Sequence, residues 1–157
     1  MRLRLLLLTL AALALAGPAL WRWRGELLPQ PAAAPSGRFA LQDAGATVFD
    51  HISGLHWQQG FSATTMDWAS AKTWCSANTP ALPGSGWRLP SVRELRQLAD
   101  RQTSAPAIDA AFGTTSNELF WSATPWVSGG YARYVNFLNG SSYYDSTTNT
   151  YRVRCVR

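Results

Sequence analysis

The sequence predicts an α+β domain: two helices, an antiparallel β-meander and one disulfide. Three observations carry that prediction. Two segments open on helix-capping signals, Thr64 with Asp67 and Ser91 with Glu94. The C-terminal third alternates apolar and polar residues between turn signals. Cys75 and Cys155 form an even pair.

What precedes the domain is of a different kind. Arg2 and Arg4 stand before the apolar run LLLLTLAALALAG, so residues 1–24 read as a signal segment, with Ala14-Leu15-Ala16 as a small-x-small cleavage site. Left uncleaved, the run is long enough to anchor the chain in a bilayer, with Trp21 to Arg24 at the interface. The expected localisation is exported: periplasmic, cell-surface or secreted, and anchored where the leader is retained. Residues 25–37, GELLPQPAAAPSG, read as an extended Pro/Ala linker. Residues 38–157 then form one domain, long enough to bury a core. Leader and linker hold four arginines and one glutamate of the chain's formal +5, which leaves the domain only +2. That balance argues against a nucleic-acid-binding field and leaves room for a local basic patch.

Within the domain, RFALQDAGATVFDHISGLHWQQ reads as two short strands. Phe39 and Leu41 alternate in the first, Leu55 and Trp57 in the second, with a turn from Asp50 to Gly54 between them. The segment TTMDWASAKTWCSAN predicts a helix opened by a Thr64/Asp67 capping box, with Trp68, Ala71 and Cys75 on one face and an end near Asn78. GWRLP leads into a second helix with the Ser91/Glu94 box and a buried stripe of Val92, Leu95 and Leu98. FGTTSNELFWSATPW predicts an irregular stretch and a short strand around Phe120-Trp121. YARYVNFL then runs into the hairpin signal Asn139-Gly140, SSYYDS returns, and YRVRCVR closes the meander with Tyr151, Val153 and Cys155 on one face. In an oxidising compartment a Cys75–Cys155 disulfide is the default reading, and two free thiols are the alternative.

The ordered strings GATVFDHISGLHWQ, WASAKTWC, WRLPSVRELRQLAD, FWSAT, VNFLNG and RVRCVR resemble the Lcl C-terminal domain-like family of bacterial exported domains across essentially all of residues 38–157. The resemblance implies a C-type-lectin-like fold, related to that of the formylglycine-generating enzyme superfamily, with a long-range disulfide from first helix to last strand. It also implies binding of glycosaminoglycans and other sulfated polysaccharides, and assembly as a homo-oligomer, a trimer. In this reading Trp87, Arg88, Ser91, Glu94 and Trp121 belong to the structural signature. The chain departs from the pattern at His56, where an apolar residue is expected. It has a Pro-rich linker in place of collagen repeats, and it lacks the Glu-Pro-Asn and Trp-Asn-Asp motifs by which sugar-binding C-type lectins hold calcium.

No catalytic residue, metal ligand set or cofactor is expected. Copper chemistry at Cys155 would need a second soft ligand, and turn and strand positions account for Asp50, His51 and His56 better than a shared metal does. The candidate ligand-binding residues are Trp126, Arg133, Tyr143, Tyr144, Asp145, Arg152 and Arg154. Trp126 follows Pro125 in a loop, the expected place for an exposed tryptophan. Arginine forks beside aromatic rings suit the sulfates and carboxylates of an acidic polysaccharide or glycosaminoglycan-like polymer. An ordinary solvated sheet face accounts for the same residues. Arg93 and Arg96 near a helix N-terminus oppose the helix dipole and so invite an anion. A structural account is nevertheless expected for them, with Glu94 capping and Glu118 or Asp100 pairing with Arg88 or Arg96. The function expected is that of an exported, non-catalytic module that recognises an acidic or sulfated polysaccharide in adhesion. The alternative is a structural or protein-interaction domain of the bacterial envelope.

Overall fold

The computed structural model describes residues 37–100, 105–113, 115 and 118–157. The signal segment, all of the linker before Gly37, and Arg101 lie outside the described residues. Among those described, no helix is long and apolar enough to cross a membrane.

The architecture is α+β, with two helices, two three-stranded antiparallel sheets and one disulfide. The first sheet has the order β1 (Phe39–Gln42), β2 (Thr47–Asp50), β3 (His56–Gln58). The expected two strands are therefore three. Asp43 and Ala44 (φ +52° and +55°) and Gly45 (φ +89°) turn the chain back through successive left-handed residues, a reversal that residue type gives little sign of outside glycine. The turn after β2 is as expected. Gly54, at φ +71°, donates its N–H to the Asp50 carbonyl, and the Asp50 carboxylate accepts from Ile52 N and Ser53 Oγ.

Helix α1 (Trp68–Ser76) buries Ala71 and Cys75, with Trp68 half-buried beside them. Its cap is Asp67, whose side chain accepts from Ser70 N, so the box placed on Thr64 sits one turn too early. The short helix α2 (Val92–Gln97) has both limbs of the predicted capping box. Leu95 and Leu98 are buried and Val92 is partly so.

The second sheet has the order β4 (Leu119–Pro125), β5 (Tyr131–Asn136), β6 (Ser141–Ser146). Each of its faces packs in part against a core, and paired residues in its antiparallel strands share a face. Phe120 and Val135 face α2, in a core with Leu95, Leu98, Phe112 and Phe137. Trp121 and Ala132 lie on the other face, in a second core with Ala71, Cys75 and Val153.

The last seven residues do not extend the meander. They thread between the two sheets: Trp57 and Arg88 each bridge Val156, and Phe120 bridges Arg152. Val153, Arg154, Cys155 and Val156 are all buried. Both sides of this segment face protein, so its alternating arginines have no solvent side to occupy. The Cys75–Cys155 bridge ties α1 to it.

Candidate functional site

The β4–β5 loop and the neighbouring strand ends bring together three of the seven predicted residues. Trp126 stacks on Tyr144 with ring centroids 4.3 Å apart and planes within 5°. The Arg133 guanidinium lies 4.4 Å from the Trp126 ring centroid. Register explains the meeting, since Arg133 pairs directly with Tyr144 across β5 and β6 and the two side chains emerge on one face. Trp126 is positioned by its N–H, which donates to the Tyr131 carbonyl. It is half-buried rather than exposed, because Tyr144 and Arg133 cover it.

Tyr131 joins this shelf, edge-to-face with Tyr144 at 6.1 Å. It is 43% exposed and Tyr144 is 50% exposed, so the shelf presents aromatic surface to solvent. Sequence reading passed over Tyr131, although its spacing of two from Arg133 on one strand places both on the same face. Among the described residues Arg133 has no carboxylate partner and no side-chain hydrogen bond. A guanidinium resting on a ring is held in place while N–H donors remain for an anion.

The other four predicted residues are placed elsewhere. Tyr143 and Asp145 alternate with Tyr144 and lie on the opposite face. There Tyr143 packs beside Tyr134, and Asp145 accepts from the Tyr151 hydroxyl and from Ser146 N. Burial and that bond to Asp145 push the Tyr151 phenol above its ordinary range, while the Asp145 carboxyl is held below its own, first by the Tyr151 hydroxyl. Arg152 forms a salt bridge to Glu118 and donates to the carbonyls of Ser62 and Ala63. Arg154 is fully buried. It donates to the Gly60 and Gln59 carbonyls and to Thr115 Oγ1, and it packs over Phe112 and Phe120. Desolvation lowers its pKa to about 9, which leaves it cationic at neutral pH. Neither Arg152 nor Arg154 reaches the shelf, and the expectation that they offer forks to a polymer is corrected by the covered C-terminal segment.

The signature residues divide in an informative way. Trp87 and Trp121 are buried, and their indole N–H groups donate to the Pro83 and Met66 carbonyls. Arg88 makes a two-pronged pair with Glu94, and Glu94 also accepts from Ser91 N and Ser91 Oγ. The Arg88 fork, against some opposing desolvation, holds the Glu94 carboxyl at about 2. Glu118 is taken by Arg152, so the expected pairing of Glu118 with Arg88 or Arg96 is not formed. Arg93 and Arg96 are exposed and have no salt bridge among the described residues. No cluster of three His, Cys, Asp or Glu side chains among the described residues could hold a metal ion.

Fold and site together define a small, disulfide-tied α+β domain that displays an arginine on an aromatic shelf. The chain belongs to the Lcl C-terminal domain family, whose model matches residues 46–157. Comparison with curated proteins returns no match. Among solved structures, the crystal structure of botrocetin is similar at 12% identity, covering 80% of this chain and 98% of botrocetin, with a TM-score of 0.42.

Proposed function

We propose that the protein is an exported, non-catalytic binding module that recognises an acidic or sulfated polysaccharide through the Trp126–Arg133–Tyr144 shelf. The observation that carries this reading is the unpaired Arg133 guanidinium held over Trp126, beside the half-exposed Tyr144. Aromatic surface suits the apolar faces of sugar rings, and a guanidinium suits sulfate or carboxylate groups. Membership of the family and the buried disulfide support export. Both cysteines are committed to that disulfide, which leaves neither to serve as a metal or redox thiol. The fold proposed is C-type-lectin-like, supported by the tie from first helix to last segment and by the pairing of β3 with the C-terminus through His56 and Arg157.

An array of immobilised polysaccharides tests the reading, with heparin-like and uronate polymers set against neutral glucans. Binding confined to the anionic polymers and weakened by salt is the expected result. Indifference to charge, or no binding at all, would reject it.

A second reading, that of a structural or protein-interaction domain of the envelope that self-associates, draws on Val127. This residue of the loop between β4 and β5 is 92% exposed, and β6 is an edge strand of the same sheet. A stable trimer by light scattering with no polysaccharide binding would favour it.

A further inference from the structure

Helix α2 lies across β4, β5 and β6 on the face that also carries the shelf. Its N-terminal end is pinned beside the shelf: Val92 N donates to Thr124 Oγ1 and Ala123 N donates to the Pro90 carbonyl, close in sequence to Trp126. Helical spacing gives the helix two flanks. Glu94 occupies one and holds Arg88, which bridges Val156. That flank faces the outer edge of β4, where Arg152 of the C-terminal segment bridges Phe120. The outward side of the helix carries Arg93, Arg96 and Gln97, which with Val92 border an open surface depression.

Two like charges three residues apart on a short helix repel each other. Neither arginine has a carboxylate among the described residues to relieve this. An anion supplied from outside would relieve that repulsion and find two guanidinium forks free to donate. The string WRLPSVRELRQLAD thus has two roles. Arg88 and Glu94 hold the corner, while Arg93 and Arg96 face outward.

We propose that Arg93, Arg96 and Gln97 form a second anion subsite on the sheet face that carries the shelf, so that the preferred ligand is an extended polyanion spanning both rather than a single charged sugar. The proposal rests on the shelf reading given above. It makes ligand length a determinant of affinity, since the second contact becomes intramolecular once the first is made.

Titration calorimetry with heparin-like oligosaccharides of defined length, from disaccharide to decasaccharide, tests it on wild type, Arg93→Ala/Arg96→Ala and Arg133→Ala/Tyr144→Ala. All four side chains are at least partly exposed, and circular dichroism checks that each variant is folded. Wild-type affinity should rise with length. The Arg93/Arg96 variant should lose about tenfold for the longest oligomer. It should keep the disaccharide within about twofold and lower the slope of log affinity against log salt by about two. If it instead keeps the decasaccharide within twofold while the shelf variant loses it, the second subsite is overturned and the shelf reading stands. Loss in the Arg93/Arg96 variant alone would overturn the shelf reading. No wild-type binding at any length would overturn both.

Discussion

Desolvation asks different things of the arginines in this domain. Arg154, fully buried, keeps its charge only because two carbonyls, a hydroxyl and two aromatic rings replace water around it. Arg133 keeps access to solvent and rests on a ring with no carboxylate beside it. Residue type could not separate the two, since both follow alternation in apparent meander strands. What separates them is whether the neighbouring segment is covered on one side or on both. Asp50 shows how firmly a buried charge can be held. Burial alone would raise its pKa, but donation from Arg38, Ser53 and Ile52 outweighs this and holds it at about 2. Unfolded aspartate titrates near 4. The folded value is the lower one, so the stabilisation is complete above about pH 4 and is lost as pH falls through about 2, to a total of about 2 kcal/mol. Thermal melts from pH 5 down to pH 2 should show wild type falling more steeply than Asp50→Asn. Parallel curves would contradict the assignment.

At the scale of elements, capping chemistry was the most readable feature. The Ser91/Glu94 box is present with both limbs, and the first helix begins within one turn of its expected start. The Asn139-Gly140 signal marked the right reversal, yet the loop spans 137–140, because Asn136 pairs with Ser141 and Phe137 is drawn into the core. Gly140 is needed there twice over. Its φ is +72°, and a Cβ would sit 3.0 Å from the Ala99 Cβ, under the end of α2. Gly140→Ala should cost about 1–2 kcal/mol from the left-handed backbone, with the contact adding to it. Urea denaturation would show this as a lowered midpoint at unchanged slope, and an unchanged midpoint would contradict the account. The strand β2 was not legible, since three successive left-handed residues create it. Nor was the true course of the C-terminal segment, whose single bridges to distant elements leave no local period.

The whole molecule depends on that last segment. It joins the two sheets through bridges from Val156 to Trp57 and from Arg152 to Phe120, and Cys155 fastens it to α1. The cysteines are 80 residues apart, so the bridge restricts most of the domain when unfolded. A loop of this size is worth about 4 kcal/mol in the chain-entropy model. Cys75→Ala/Cys155→Ala should lose stability on that scale by urea denaturation, and a variant as stable as wild type would contradict the role given to the segment. Composition and motif order made the fold class and the family readable. The proposed binding surface was only half readable, because its residues come from a loop, two strands and one helix that meet only in the folded state. The most direct test of the central claim is the affinity of the folded Arg133→Ala/Tyr144→Ala variant for a long sulfated polysaccharide, measured beside wild type at one fixed salt concentration. A loss of about tenfold or more with the melting temperature preserved is the predicted result. Affinity within twofold of wild type would contradict the claim that this shelf is the binding site.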